Sequence, residues 1–291
     1  MPLQKVDLRP GINREGTRYS KEGGWYDGDK IRFRQGSPEK IGGWTRISTS
    51  TFLGVCRALW NWVTLGGQNL IGVGTHLKYY INNVGNYNDI TPIRATVSLT
   101  NPFATTSGSP TVIVTDANGG YKNGDYVTFS NASAVGGLTI DGEFQLSVGV
   151  LSGANQFSIT AGSNATSTAT GGGSVSAEYQ INTGNAFATL LAGWGASTWG
   201  SGAWNVGQSS VAGVRFWSHS NFGEDLIFGP DGGSIYYWDA TNGVGTRGVE
   251  LSSRSGASDV PLLQNLILIS DISRFVFCFG TNEIGGTTID P

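Results

Sequence analysis

The feature that most constrains this chain is a repeated unit of strand, turn, strand, turn, strand. In the first copy Arg57-Ala58-Leu59-Trp60 leads through Gly66-Gly67-Gln68-Asn69 to Leu70-Ile71-Gly72-Val73, then through Gly74-Thr75-His76 to Leu77-Lys78-Tyr79-Tyr80-Ile81. In the second, Arg215-Phe216-Trp217 leads through Asn221-Phe222-Gly223-Glu224-Asp225 to Leu226-Ile227-Phe228, and Gly229-Pro230-Asp231-Gly232-Gly233 turns into Ser234-Ile235-Tyr236-Tyr237-Trp238. A shorter third copy runs from Asn265-Leu266-Ile267-Leu268-Ile269 to Arg274-Phe275-Val276-Phe277-Cys278-Phe279. From Leu226 to Leu266 is 40 residues, the length of a four-stranded propeller blade. With 45 glycines in 291 residues, long helices are excluded, because interior glycine costs about 1 kcal/mol against alanine. The expected fold is all-β, with β-propeller-like blades.

From Leu70 to Leu226 is 156 residues, far more than one period. The excess is expected to be an inserted small β-sandwich or barrel-like domain. From Asn101 to about Ile181 the residues shift to Thr, Ser, Ala and Gly without tryptophan. Strands are expected at Thr111 to Thr115, Tyr126 to Ser130, Gly142 to Val150 and Gln156 to Thr160, with turns at Asp116 to Gly120 and Ala132 to Gly137. Ala161 to Gly173 reads as a return linker or exposed loop. The expected organisation is therefore residues 1–98, an N-terminal β segment and first blade; 99–181, the insertion; and 182–291, a Trp-Gly loop and further blades. Three units cannot close a propeller, which needs four or more. The chain is expected to be a piece of a longer propeller, or to complete a fourth sheet from its N-terminal hairpin.

The charge is uneven. Residues 1 to 57 hold 11 of the 18 Lys and Arg against 6 of the 21 acids, so a segment of +5 precedes a remainder of −8. Lys30-Ile31-Arg32-Phe33-Arg34 alternates charged and apolar residues, as a strand with one solvated or subunit-facing side does. Arg32 and Arg34 are the expected subunit-interface residues. Asp27 and Asp29 read as a turn, since the loop lacks the further oxygen ligands of a calcium site. Cys56 and Cys278 read as buried thiols. His76 and His219 stand far apart with no ligand spacing around them, and no metal or other cofactor is expected. No apolar run is long enough for a membrane span.

No nucleophile elbow, phosphate loop, HExxH helix or dinucleotide fingerprint is present, and no enzyme activity is expected. Glu224, Asp225, Asp231 and Asp239 cluster at the turns of the second unit. Trp194, Trp199 and Trp204 recur at five-residue intervals beside glycine. They suit either a loop anchored in the core or a platform on which sugar rings stack.

Several segments together resemble one family. Leu8-Arg9-Pro10-Gly11-Ile12-Asn13, Gly24-Trp25-Tyr26-Asp27-Gly28-Asp29-Lys30-Ile31-Arg32-Phe33-Arg34 and Lys40-Ile41-Gly42-Gly43-Trp44 resemble the opening of tail nozzle proteins of short-tailed bacteriophages, also called tail tubular protein B. Asn123 to Phe129 and Gly136 to Phe144 are similar to small β modules of phage virion proteins, and the Trp-Gly loop and Gly286 to Pro291 also fit. The resemblance implies a virion protein made in the host cytoplasm: a β-propeller subunit of a six-fold homo-oligomeric ring. It implies portal, adaptor and tail-fibre neighbours and double-stranded DNA passing along the axis without specific binding. The four acids above would then be lumen candidates. The alternative is a carbohydrate-binding or depolymerising tail propeller that meets host glycan through Trp194, Trp199 and Trp204.

Overall fold

The computed structural model describes residues 9–17, 19–20, 23–43, 45–46, 48–117, 121, 124–148, 155–187 and 214–288. The chain divides into two compact units, Met1–Thr49 and Ser50–Pro291. In the first, β1 (Ile31–Arg34) and β2 (Ser37–Lys40) pair antiparallel in the register Arg32↔Glu39 and Phe33↔Pro38. The turn between them falls on Gln35 and Gly36, both at positive φ, one residue earlier than Gly36-Ser37-Pro38. Two consecutive positive φ values match the right-handed twist of a tight hairpin. Ile31 and Phe33 are half-buried while Arg32 and Arg34 point to solvent, and the Phe33 ring meets Trp25 edge-on at 6.0 Å.

The second unit opens with a four-stranded antiparallel meander, β3 (Cys56–Val63), β4 (Asn69–Thr75), β5 (Tyr79–Asn83) and β6 (Asn86–Asp89), in the order β3-β4-β5-β6. Three of these strands are the repeat read from the sequence. The fourth is a short polar return, Asn-Tyr-Asn-Asp, that carries too little apolar pattern to read as a strand.

Eight strands follow: β7 (Ile93–Thr100), β8 (Phe103–Thr105), β9 (Thr111–Thr115), β10 (Tyr126–Ser130), β11 (Gly142–Gln145), β12 (Gln156–Thr160), β13 (Ala169–Gly171) and β14 (Ser174–Gln180). They form two sheets, β11-β10-β14-β7 and β12-β9-β8-β13, which face each other across one core. Alternate residues of each strand enter it: Val112 and Val114 from β9, Val127 and Phe129 from β10, Phe157 and Ile159 from β12, Val175 and Ala177 from β14. Phe103 and Phe129 meet edge-on between the sheets at 5.1 Å. This period-2 burial is why threonine and serine fill the other positions. The first strand begins at Ile93, so a boundary between residues 98 and 99 cuts through β7. The linker reading of Ala161 to Gly173 is corrected: Ala165 is buried, its carbonyl accepts from Gly108 N at 2.8 Å, and β13 pairs with β8. Small residues here follow from close packing.

The chain then builds a second meander, β15 (Trp217–Phe222), β16 (Asp225–Pro230), β17 (Tyr236–Trp238) and β18 (Val249–Glu250), followed by the hairpin β19 (Leu266–Ile269) and β20 (Val276–Phe279). These sheets pack in series. Trp62, Leu70, Tyr79 and Ile81 of the first meander share a core with Trp217, Leu226, Phe228, Tyr236 and Trp238 of the second. Ile227 and Tyr237 point the other way and pack with Ile267 and Ile269 of the hairpin. The central sheet is covered on both faces, which is why Leu226-Ile227-Phe228 and Ile235 to Trp238 read as continuous apolar runs.

Candidate functional site

The strongest concentration of buried charge lies where the first meander, the sandwich and the second meander meet. Lys78 enters at the β4–β5 turn, held by Thr75: Lys78 N donates to Thr75 Oγ1 at 2.9 Å, and Thr75 Oγ1 donates to Lys78 O at 2.9 Å. Its stem is buried, and its Nζ lies 2.8 Å from Asp89 Oδ2, at the end of β6, and 2.5 Å from Glu143 Oε1, on β11 of the sandwich. Gln180 Nε2 of β14 donates to the same Glu143 oxygen at 2.6 Å. Arg247, in the loop before β18, reaches Asp89 at 3.3 Å and donates to Thr91 O at 2.8 Å. Burial alone would raise the Asp89 pKa, but Arg247 and Lys78 outweigh it and hold the carboxyl below its ordinary range. Two cations and two carboxylates thus neutralise one another, and the sandwich is pinned to both meanders. The ring of Tyr126 lies 4.9 Å from Lys78 Nζ.

Beside this junction is a cleft of about 160 Å³ lined by His76, Asp125, Tyr126, Gln145, Asn182 and Thr183 among others. Asn182 Nδ2 donates to Asp125 Oδ1 at 2.9 Å. His76 Nδ1 accepts from Val55 N at 3.0 Å, which places the imidazole proton on Nε2. Burial and Arg57 both lower the His76 pKa, so the ring is neutral at pH 7.

Of the four acids at the second meander's turns, Glu224, Asp225 and Asp239 lie at one end of the sheet and Asp231 at the other. Glu224 accepts from Leu65 N through its carboxylate, and its carbonyl accepts from Trp62 Nε1 at 3.2 Å. Asp225 accepts from Tyr237 Oη and, at 2.8 Å, from Ala240 N. Asp239 caps the short 3-10 turn at Ala240–Asn242, accepting from Thr241 N at 3.0 Å and Thr241 Oγ1 at 2.6 Å; these bonds lower its pKa. Asp231 lies beyond the other end of β16, and burial raises its pKa. Arg32 pairs with Glu39 of its own hairpin at 2.9 Å, and Arg34 is exposed. Trp194, Trp199 and Trp204 lie outside the described residues.

The reading of both thiols as buried is corrected for Cys56, which is exposed at the start of β3; Cys278 is half-buried. His219 packs against the Trp60 ring at 5.2 Å between centroids and shares a hydrogen bond of 3.2 Å with Tyr79 Oη. Burial pushes its pKa down to about 4. Among the described residues no three His, Cys, Asp or Glu side chains gather as a metal site, and no helix is long and apolar enough to cross a membrane.

The sequence reading missed the ion cluster. Lys78 alone among the central residues of an apolar strand was its signal, but Glu143 stands 65 positions away on a strand whose partner sheet is not legible beforehand.

No protein-family model and no curated protein sequence matches the chain. Among solved structures it is similar to the phage phi92 endosialidase, with a TM-score of 0.27 and 16% identity, over 75% of this chain and 31% of that one. The chain therefore spans less than a third of that protein's length. The expectation that the chain is no enzyme is withdrawn: a solved structure it is similar to is named an endosialidase, and missing local motifs do not exclude carboxylates that converge only in space.

Proposed function

We propose that this chain is an assembling subunit of a bacteriophage tail, of the nozzle type, whose copies surround a channel for double-stranded DNA. The observation that carries the reading is the serial packing of the antiparallel sheets β3–β6, β15–β18 and β19–β20, each presenting alternate residues to the next. A propeller grows by this rule, and its blades serve as a rigid scaffold. The opening segments Leu8 to Asn13 and Gly24 to Arg34, which resemble nozzle proteins, support the same reading. Around the channel stand further copies of the chain and neighbouring adaptor and fibre proteins.

A genome-conducting channel should not grip phosphates, since each neutralised phosphate adds affinity that sliding must break. The −8 charge of residues 58–291 suits such a wall, with Glu224, Asp225, Asp239 and Asp231 as its candidate acids. The test is a titration of labelled duplex at near-physiological salt, run beside a glycan array. Weak, salt-sensitive and sequence-independent DNA binding is expected. Submicromolar or sequence-selective DNA binding overturns the passive channel, and specific glycan binding abolished by Trp199→Ala favours the glycan-contacting alternative.

A further inference from the structure

The cleft beside the ion cluster has no part in the assembly role. It opens between the outer face of one sandwich sheet and the β4–β5 turn. Tyr126 and Gln145 are partners across β10 and β11, on the face opposite Val127 and Phe144, which pack on the sandwich core. His76 and Leu77 line the cleft from the turn, and Asn182 and Thr183, after β14, complete it. Hydrogen bonds to backbone fix these walls. Thr183 Oγ1 donates to His76 O at 2.5 Å, Asn182 Oδ1 accepts from Gly184 N at 3.2 Å, and Gln145 Nε2 donates to Gly124 O at 3.1 Å. Arg215 Nη1 donates to Asn182 O at 3.1 Å. Among the described residues, His76 Nε2–H, Tyr126 Oη and Gln145 Oε1 have no hydrogen-bond partner, and none of the three is sealed in the core. Two donors and one acceptor thus stand open on side chains that line one cleft, and the elements that carry them are held in place.

We propose that this cleft binds one ring of a neutral sugar, with His76 Nε2 and Tyr126 Oη donating to its hydroxyls and Gln145 Oε1 accepting from one. Three observations favour that ligand class. First, the volume of about 160 Å³ falls short of the roughly 300 Å³ at which pockets for drug-sized ligands begin, so the occupant is a single small ring. Second, the local charge disfavours an anion. Asp125, its side chain 3% exposed, stands in the wall beside Asn182 Nδ2 at 2.9 Å and Arg94 at 4.0 Å. The neighbouring cations are engaged, Lys78 by Asp89 and Glu143 and Arg57 by the Ala186 carbonyl. A phosphate or carboxylate entering here would meet a carboxylate and a spent set of cations. Third, the lining mixes open polar groups with the carbon surface of Leu77, Ile181 and the Tyr126 ring, which suits a molecule with hydroxyl edges and C–H faces.

The test is saturation-transfer NMR on the full chain, with the methyl glycosides of glucose, galactose and mannose beside N-acetylneuraminic acid as the anionic sugar. At least one neutral glycoside is expected to receive saturation and to titrate in the millimolar range, as a ligand of about a dozen heavy atoms does. The anionic sugar should receive none. Tyr126→Phe keeps the ring beside Lys78 and removes only the hydroxyl, and Gln145 is exposed, so Gln145→Ala disturbs no packing. Each should weaken binding roughly two- to tenfold, the effect of one lost hydrogen bond. Melting curves that match the wild type show both variants folded. Trp199→Ala is expected to leave binding unchanged, which separates this cleft from the tryptophan platform. No saturation of any neutral glycoside overturns the proposal, as does equal binding in both cleft variants. Loss of binding in Trp199→Ala alone, or preference for N-acetylneuraminic acid, overturns it as well. None of these outcomes bears on the assembly role.

Discussion

At the scale of single residues, the sheets approach so closely that side-chain size is decisive. Gly74 sits in β4 where a Cβ would lie 2.4 Å from Cδ1 of Trp217, and the indole Nε1 donates to Thr75 O at 2.7 Å. Gly74→Val is expected to destabilise the protein by about 1–3 kcal/mol, the usual cost of overpacking, as a lower denaturation midpoint with the slope unchanged. His219 yields a pH prediction. Its folded pKa near 4 lies below the free value of 6.5, so the unfolded chain takes up the proton first. Stability is complete above pH 6.5 and is lost as pH falls from there toward 4, by at most about 1.4 kcal/mol per pH unit per histidine. His76 adds in the same direction. Melting curves of the wild type and His219→Gln between pH 7.5 and 4.5 should differ mainly in slope; identical slopes would remove His219 as a source.

At the scale of elements, the sequence was most readable where one pattern served one purpose. Thr111–Thr115, Tyr126–Ser130 and Gln156–Thr160 alternate cleanly because one face meets the sandwich core and the other meets water. The strand Ala169–Gly171 escaped because small residues pattern like a linker, and Asn86–Asp89 because a polar edge strand has no apolar period. Ion pairs were opaque for another reason: Lys78 and Glu143 meet only after two domains have formed. Removing Lys78 leaves Asp89 and Glu143 facing each other in a half-buried site. Lys78→Met is expected to cost about 3–5 kcal/mol, and the double variant Lys78→Met with Glu143→Gln to recover part of it, measured by urea denaturation. Because the sandwich has its own core, residues 92–182 expressed alone should unfold in one cooperative transition. Absence of a transition would make the sandwich dependent on the meanders for folding.

At the scale of the whole molecule, the proposed assembly requires a contact between copies. The exposed Arg34 and the Glu39-paired Arg32 are the candidates for an electrostatic contact between copies, which salt screens within about 8 Å at physiological strength. Replacing Arg32 and Arg34 by Gln is expected to weaken association several-fold at low salt and to leave it unchanged at high salt, as sedimentation would show. The resemblance of the opening segments and the serial sheets both support the proposal of copies arranged about an axis. Electron microscopy of the purified full chain, at concentrations where it associates, tests this most directly. The account predicts closed rings of one size with an open centre; monomers, two-fold dimers or open filaments under those conditions would contradict it.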